Sequence, residues 1–169
     1  EKNKAWNNVN HGFDGDGVEY TIWKNNLGYD NGSKGLNIYQ VDGKTNARYD
    51  KVYNNTFVTK PGAYMPLTWL KGRSKVGGNN NSVMNNILYS ADYTNTMRGS
   101  MGYVSTWMST FTSDYNVLID RLGVDDNKTT YTLAQWRTAF GKDMHSINCF
   151  DLSALFVDPT NKNFHLKST

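Results

Sequence analysis

Cysteine is almost missing from this chain of 169 residues: Cys149 stands alone, which excludes an internal disulfide and any cysteine-based zinc site. As a lone thiol it is expected to be a small buried core residue. Histidine is nearly as sparse. His11, His145 and His165 lie far apart without a ligand spacing such as i, i+4, so no histidine metal site is expected. No apolar run approaches the roughly 18 residues needed to span a bilayer, and the chain reads as soluble, without membrane insertion. Charge of one sign is also scarce. The 18 basic and 15 acidic residues leave a net +3, too mild for a protein that grips duplex nucleic acid but compatible with an acidic polysaccharide. The chain opens at Glu1 with no methionine, basic start or hydrophobic signal segment, and is expected to be a mature or excised piece.

What the chain has in excess is asparagine, 22 of 169 residues, and it is placed periodically. Three near-copies of one phrase recur: Ile22-Trp23-Lys24-Asn25-Asn26-Leu27, Val52-Tyr53-Asn54-Asn55-Thr56-Phe57 and Val83-Met84-Asn85-Asn86-Ile87-Leu88. The pairs begin at 25, 54 and 85, and Ser113-Asp114-Tyr115-Asn116-Val117-Leu118 echoes them. Such a period means a solenoid. Asparagine tolerates left-handed backbone, and its amide both donates and accepts. Each Asn-Asn bend therefore describes one corner of a coil, and Asn25, Asn54 or Asn55, and Asn85 or Asn86 are expected to stack about 4.8 Å apart in one hydrogen-bonded column.

A Gly-led strand precedes each corner: Gly12 to Gly17, Gly35 to Gln40, then roughly Met65 to Lys71. In the second of these, Leu36 and Ile38 alternate with Asn37, Tyr39 and Gln40, so Leu36 and Ile38 should face inward. Three strands per coil make three parallel sheets. The fold class expected is all-β, a right-handed parallel β-helix, with regular coils over 1–90 and final coils plus a cap over 91–169. In that cap Thr132-Leu133-Ala134-Gln135 has the form of a helix capping box, with Leu133, Trp136 and Phe140 on one face before Gly141. Two strand-like pieces around a polar turn follow, Leu155 to Pro159 and Asn163 to Lys167. On a rigid solenoid function belongs to the outward side and the long polar loops, here 42–50 and 72–81 beside the Gly-led strands.

The stretches Ala5-Trp6-Asn7-Asn8 through Gly12-Phe13, Asn25 through Gly35, and Val52 through Thr56 resemble the core coils of the pectate lyase L group, polysaccharide lyase family nine. Ser113 to Asn116, Trp136, Gly141, His145-Ser146, Phe156-Val157-Asp158 and Phe164-His165-Leu166 are similar to the closing segment of many secreted bacterial β-helix proteins. The resemblance implies a secreted or cell-surface bacterial protein that binds an acidic polysaccharide and cleaves it by β-elimination, with further β-helix coils upstream. In that family a Gly-Phe-Lys-Leu-Gly-Gly strand carries the basic lysine. The matching strand here is Gly12-Phe13-Asp14-Gly15-Asp16-Gly17, so Asp14 stands where the lysine would, and the family's calcium aspartates belong to coils before Glu1.

From the residues themselves, three sets are candidates. Asp14 and Asp16, two apart on a strand, with Glu19 near, suit calcium or the paired carboxylates of glycoside hydrolysis, or are a solvated Gly-Asp turn. Trp69 to Lys75 gathers Lys71, Arg73 and Lys75 beside an indole: β-elimination needs a cation on the uronate carboxylate and a base, and Lys71 and Arg73 are candidates for both, unless the cluster is a solubilising edge. Trp69, Tyr39, Trp23, Tyr29 and Tyr53 are sugar-stacking candidates or interior rungs, and Arg48 with Lys44 and Lys51 is a second basic cluster that would share the groove. A non-catalytic adhesin or carbohydrate-binding scaffold is the competing expectation.

Overall fold

The computed structural model describes residues 1–92 and 99–168. The chain winds through repeated coils of three short strands. The first coil holds β1 (Lys4–Trp6), β2 (Phe13–Asp16) and β3 (Ile22–Lys24); the second β4 (Leu27–Tyr29), β5 (Leu36–Tyr39) and β6 (Lys51–Tyr53). The third holds β7 (Thr56–Thr59), β8 (Leu67–Trp69) and β9 (Ser82–Met84); the fourth β10 (Ile87–Ser90), β11 (Met101–Tyr103) and β12 (Thr112–Asp114). A last partial coil adds β13 (Val117–Leu118) and β14 (Leu122–Val124). After β15 (Thr129–Tyr131) and α1 (Leu133–Phe140), β16 (Ile147–Asn148) joins the first sheet, and β17 (Phe156–Asp158) and β18 (Asn163–Leu166) form an antiparallel pair.

Pairing is between equivalent strands of successive coils. The first sheet runs β1-β4-β7-β10-β13-β16, the second β2-β5-β8-β11-β14-β15 and the third β3-β6-β9-β12, parallel throughout except that β15 is antiparallel to β14. This is a three-sheet parallel β-helix. The two residues of each Asn pair do different work at its corner. Asn25, Asn54 and Asn85 take φ of 57°, 55° and 58°, the left-handed turn between third and first sheet, and Tyr115 takes 56° at the next corner. The column is built by the second residue, so its members are Asn26, Asn55 and Asn86 rather than Asn25. Asn26 donates from backbone N and Nδ2 to Asn55 Oδ1 at 2.9 and 3.0 Å, Asn55 to Asn86 Oδ1 at 2.9 and 2.9 Å, and Asn86 to Asn116 Oδ1 at 2.9 and 3.1 Å. Asn3 begins the same column with bonds to Asn26 Oδ1.

Inside, equivalent positions stack into apolar files: Leu36, Leu67, Met101 and Leu122 in the second sheet, Phe57, Leu88 and Leu118 in the first. Leu36 and Ile38 are fully buried. The cap closes this core. Thr132 and Gln135 form the reciprocal capping box, Gly141 ends α1 at φ 62°, and Leu133 and Trp136 are buried in the main cluster. Asp143 finishes the ladder. Its Oδ1 accepts from Asn116 Nδ2 at 3.0 Å and Ser146 Oγ at 2.6 Å, while Oδ2 accepts from Trp136 Nε1 at 3.1 Å. The final hairpin does not lie on the open end. It folds back along the first sheet, with Phe164 5.2 Å from the Tyr29 ring and Lys162 paired to Asp30 at 2.8 Å.

Candidate functional site

Because Leu36 and Ile38 point inward, Asn37 between them points outward, and it sits in a row with Asp14 on one side and Thr68 on the other. The row is bonded. Asn37 Nδ2 donates to Asp14 Oδ1 at 3.0 Å, and Asn37 Oδ1 accepts from Thr68 Oγ1 at 2.8 Å and Lys34 Nζ at 2.9 Å. Lys34 precedes β5 and is only 8% exposed, with the Tyr64 ring 5.4 Å from its ammonium. The loop that brings Tyr64 there is held by its backbone N–H, which donates to Ser33 O at 2.8 Å.

Burial pushes the Lys34 amine below its ordinary value, while the charges of Asp126 and Asp14 pull the other way. Burial likewise lowers His11, with Asp14 opposing and Lys34 reinforcing. The charge of Asp14 raises the Tyr39 phenol. Tyr64 Oη donates to Asp126 Oδ1 at 2.8 Å, and Asp126 is also a wall of a cavity of about 470 Å³ lined by Trp69, Leu70, Lys71, Val104, Asp125, Asp126 and Lys128. Asp125, Asp126 and Asn127 form a left-handed turn at φ 52°, 59° and 60°, anchored where Asp125 accepts from Ser105 N at 2.9 Å and Oγ at 2.5 Å. Lys34 does not line this cavity: the Tyr64 ring joins its ammonium, 5.4 Å from the ring centroid, to Asp126 in the cavity wall. Another cavity, about 460 Å³, lies against α1, but Tyr131 is its sole titratable lining residue.

Of the residues expected from sequence, Asp14 lies in the polar row and Lys71 in the cavity wall. Tyr39 is half-buried near Asp14. Arg73 and Lys75 are exposed on the loop beyond and do not line the cavity. Trp69 cannot be a stacking platform: it is 1% exposed, with its ring against Tyr103 and Phe111. Arg48 is tied to Glu19 Oε2 at 2.9 Å, and Thr45 donates to the same carboxylate, so both Arg48 and Glu19 are engaged at the corner before the third sheet. Asp16 accepts backbone N–H bonds from Val41, Asp42 and Gly43 at 2.8, 2.9 and 3.2 Å, which hold its carboxyl below the usual range. It anchors a loop, and a general acid would need the opposite shift. Among the described residues no three His, Cys, Asp or Glu side chains converge as a metal site.

Cys149 is half-buried rather than in the core, its Sγ donating to Asp151 O at 3.1 Å. His145 ties the closing segment to the fourth coil, its ring nitrogen Nδ1 2.7 Å from Asp114 Oδ2. Sequence reasoning passed over Lys34, Tyr64, Asp126 and Lys128. Lys34 had one local signal, its place between Gly32 and Gly35 just before a Gly-led strand, whereas the approach of Asp126 to Tyr64 crosses 62 residues. Comparison of the chain with protein-family models, curated proteins and solved structures yields no match.

Proposed function

We propose that the chain binds a uronate-containing polysaccharide on the outward side of the second sheet and cleaves it by β-elimination. The observation that carries this reading is Lys34, a buried amine one tyrosine ring away from a cavity whose wall holds Lys71 and Lys128. In this scheme Lys71 and Lys128 hold the substrate carboxylate and so stabilise the negative charge that develops when the C5 proton leaves. Lys34, whose burial works against its charged form, is the base that takes that proton; the C5–H electron pair becomes the C4–C5 double bond, and the C4–O bond breaks as the departing glycosidic oxygen takes a proton from water. Lys34 takes the place of Lys71 and Arg73 as the candidate base because it is buried against Asn37 and the Tyr64 ring, whereas those two are exposed. No step is routed through calcium. A substrate of this kind is extracellular, so the reading carries a secreted or cell-surface location.

A non-catalytic binding scaffold is the second reading, favoured by one observation: Asp14 and Asp126 act on Lys34 to keep its proton. Incubation with polygalacturonate, alginate and a neutral glucan separates the two. Lyase action gives ultraviolet-absorbing unsaturated ends, and Lys34→Met should lower turnover by roughly 100-fold or more, the usual contribution of a general base. Lys71→Ala with Lys128→Ala should weaken uronate binding, and added salt should weaken it in the wild type. Salt-sensitive binding with no unsaturated product would leave the scaffold. Reducing ends without unsaturation would mean hydrolysis, with Asp14 and Asp126 the carboxylates to test.

A further inference from the structure

Tyr20 and Tyr49 occupy the same corner of consecutive coils, just before β3 and β6. Their rings are stacked, with centroids 4.8 Å apart and planes 3° apart, and they are 66% and 36% exposed. Both have left-handed backbone, φ 55° and 56°. A bulky residue is an outlier in that region, where asparagine is the ordinary occupant. The next coil has just that: Asn80, φ 55°. The corner is therefore formed without tyrosine; a left-handed, exposed tyrosine recurs at Tyr115, whose ring is covered by His145 of the closing segment at 4.9 Å, whereas Tyr20 and Tyr49 are two in succession and leave a wider aromatic surface in solvent.

The surroundings indicate a ligand. Ile22, 54% exposed, pairs in register with exposed Lys51. Arg48 and Glu19 pair immediately before the two tyrosines, Lys44 lies within electrostatic range of Glu19, and Lys24 pairs with Glu1 at 2.8 Å. The neighbourhood thus carries four cations, Lys24, Lys44, Arg48 and Lys51, against the carboxylates of Glu1, Glu19 and the buried Asp50. Aromatic surface packs on the apolar face of a pyranose, phenol hydroxyls bond its hydroxyls, and an excess of cations selects carboxylated sugars. We infer that Tyr20, Tyr49, Ile22 and Lys51 form a second, non-catalytic binding site for an acidic polysaccharide, separate from the Lys71 and Lys128 cavity. The ligand class rests on the function proposed above; the site does not rest on catalysis. Two sites on one molecule hold a long polymer more tightly than a short one, because the second contact is intramolecular.

The test is Tyr20→Asn with Tyr49→Asn, which puts at both corners the residue that position 80 already has. The double variant should melt no lower than wild type, bind long polygalacturonate about tenfold more weakly in affinity electrophoresis, and turn over short oligouronides unchanged. Unchanged binding of the long polymer overturns the site, as does equal retention of a neutral glucan by wild type. Wild-type dimers that dissociate in the double variant would also overturn it, by assigning the rib to self-association. Lys51→Glu, which leaves the corner intact, should weaken retention on its own; no effect counts against the site should the double variant fail to fold. Retention sensitive to the tyrosines but without unsaturated products removes only the lyase reading. Retention by no uronate polymer removes the binding site itself.

Discussion

At single residues the solenoid separates conformation from hydrogen bonding. Asn54 supplies a left-handed corner, which glycine also supplies, so Asn54→Gly should cost well under about 1 kcal/mol. Asn55→Ala removes the acceptor of two buried donors of Asn26 and the side-chain donor to Trp23 O and Asn86 Oδ1, leaving the latter only the backbone N–H of residue 55, and should cost on the order of 2–4 kcal/mol in a denaturant titration. Equal losses would mean the ladder is not the stabilising part of the corner. A second polar column contains a carboxylate: Asp50 Oδ1 accepts from Thr21 N at 2.9 Å, and Asp50 N donates to Asn81 Oδ1 at 3.0 Å. Asp50 is fully buried and its Oδ2 has no partner. Burial pushes it from 3.8 to about 7, with the nearby Glu19 charge adding and the Thr21 bonds opposing. Below 3.8 both folded and unfolded states are protonated; between 3.8 and about 7 only the unfolded state ionises. The stability linked to the neutral carboxyl is therefore complete below the unfolded value and is lost as pH rises to about 7, a drop on the order of 4 kcal/mol. Asp50→Asn, the residue found at 81, should be more stable than wild type at pH 8 and flatten the profile. Unchanged pH dependence of the melt in that variant would show that Asp50 is not its source.

Among elements, α1 was the most legible. The capping box of Thr132 and Gln135, the stop at Gly141 and the inward Leu133 and Trp136 are all local, and local rules suffice for a helix end. Thr132→Ala should cost about 1 kcal/mol by loss of the bond to Gln135 N at 3.2 Å, and Thr132→Ser should restore most of it. The strands β17 and β18 were legible as strands, but their docking was not. Their position depends on Phe164 meeting Tyr29 and Lys162 meeting Asp30, contacts separated by well over a hundred residues of chain. Phe164→Ala should therefore raise proteolysis after β16 while the coils stay folded, as seen by unchanged far-ultraviolet circular dichroism; collapse of the whole spectrum would make the hairpin integral to the solenoid.

In the molecule as a whole, each coil rests on its neighbours, so protection should vary along the axis. Strands β5 to β9 have partners on both sides, whereas β1, β2 and β3 are edges of their sheets. Native-state hydrogen exchange should be slowest in the former and fastest in the latter, and uniform protection would contradict nearest-neighbour stability. The sequence by itself determined the period, the corners, the inward faces of Leu36 and Ile38 and the cap helix, because each depends on a φ preference, a two-residue alternation or a capping pair within a few residues. Only the tertiary structure decided which Asn of each pair forms the column and which side chains share the site. Stacking coils of unequal length brings Lys34 to Tyr64 and Tyr64 to Asp126, buries Trp69, and turns Arg48 and Glu19 on each other. The loops differ in length from coil to coil, and loop length, unlike strand alternation, has no local rule that says where its side chains end up.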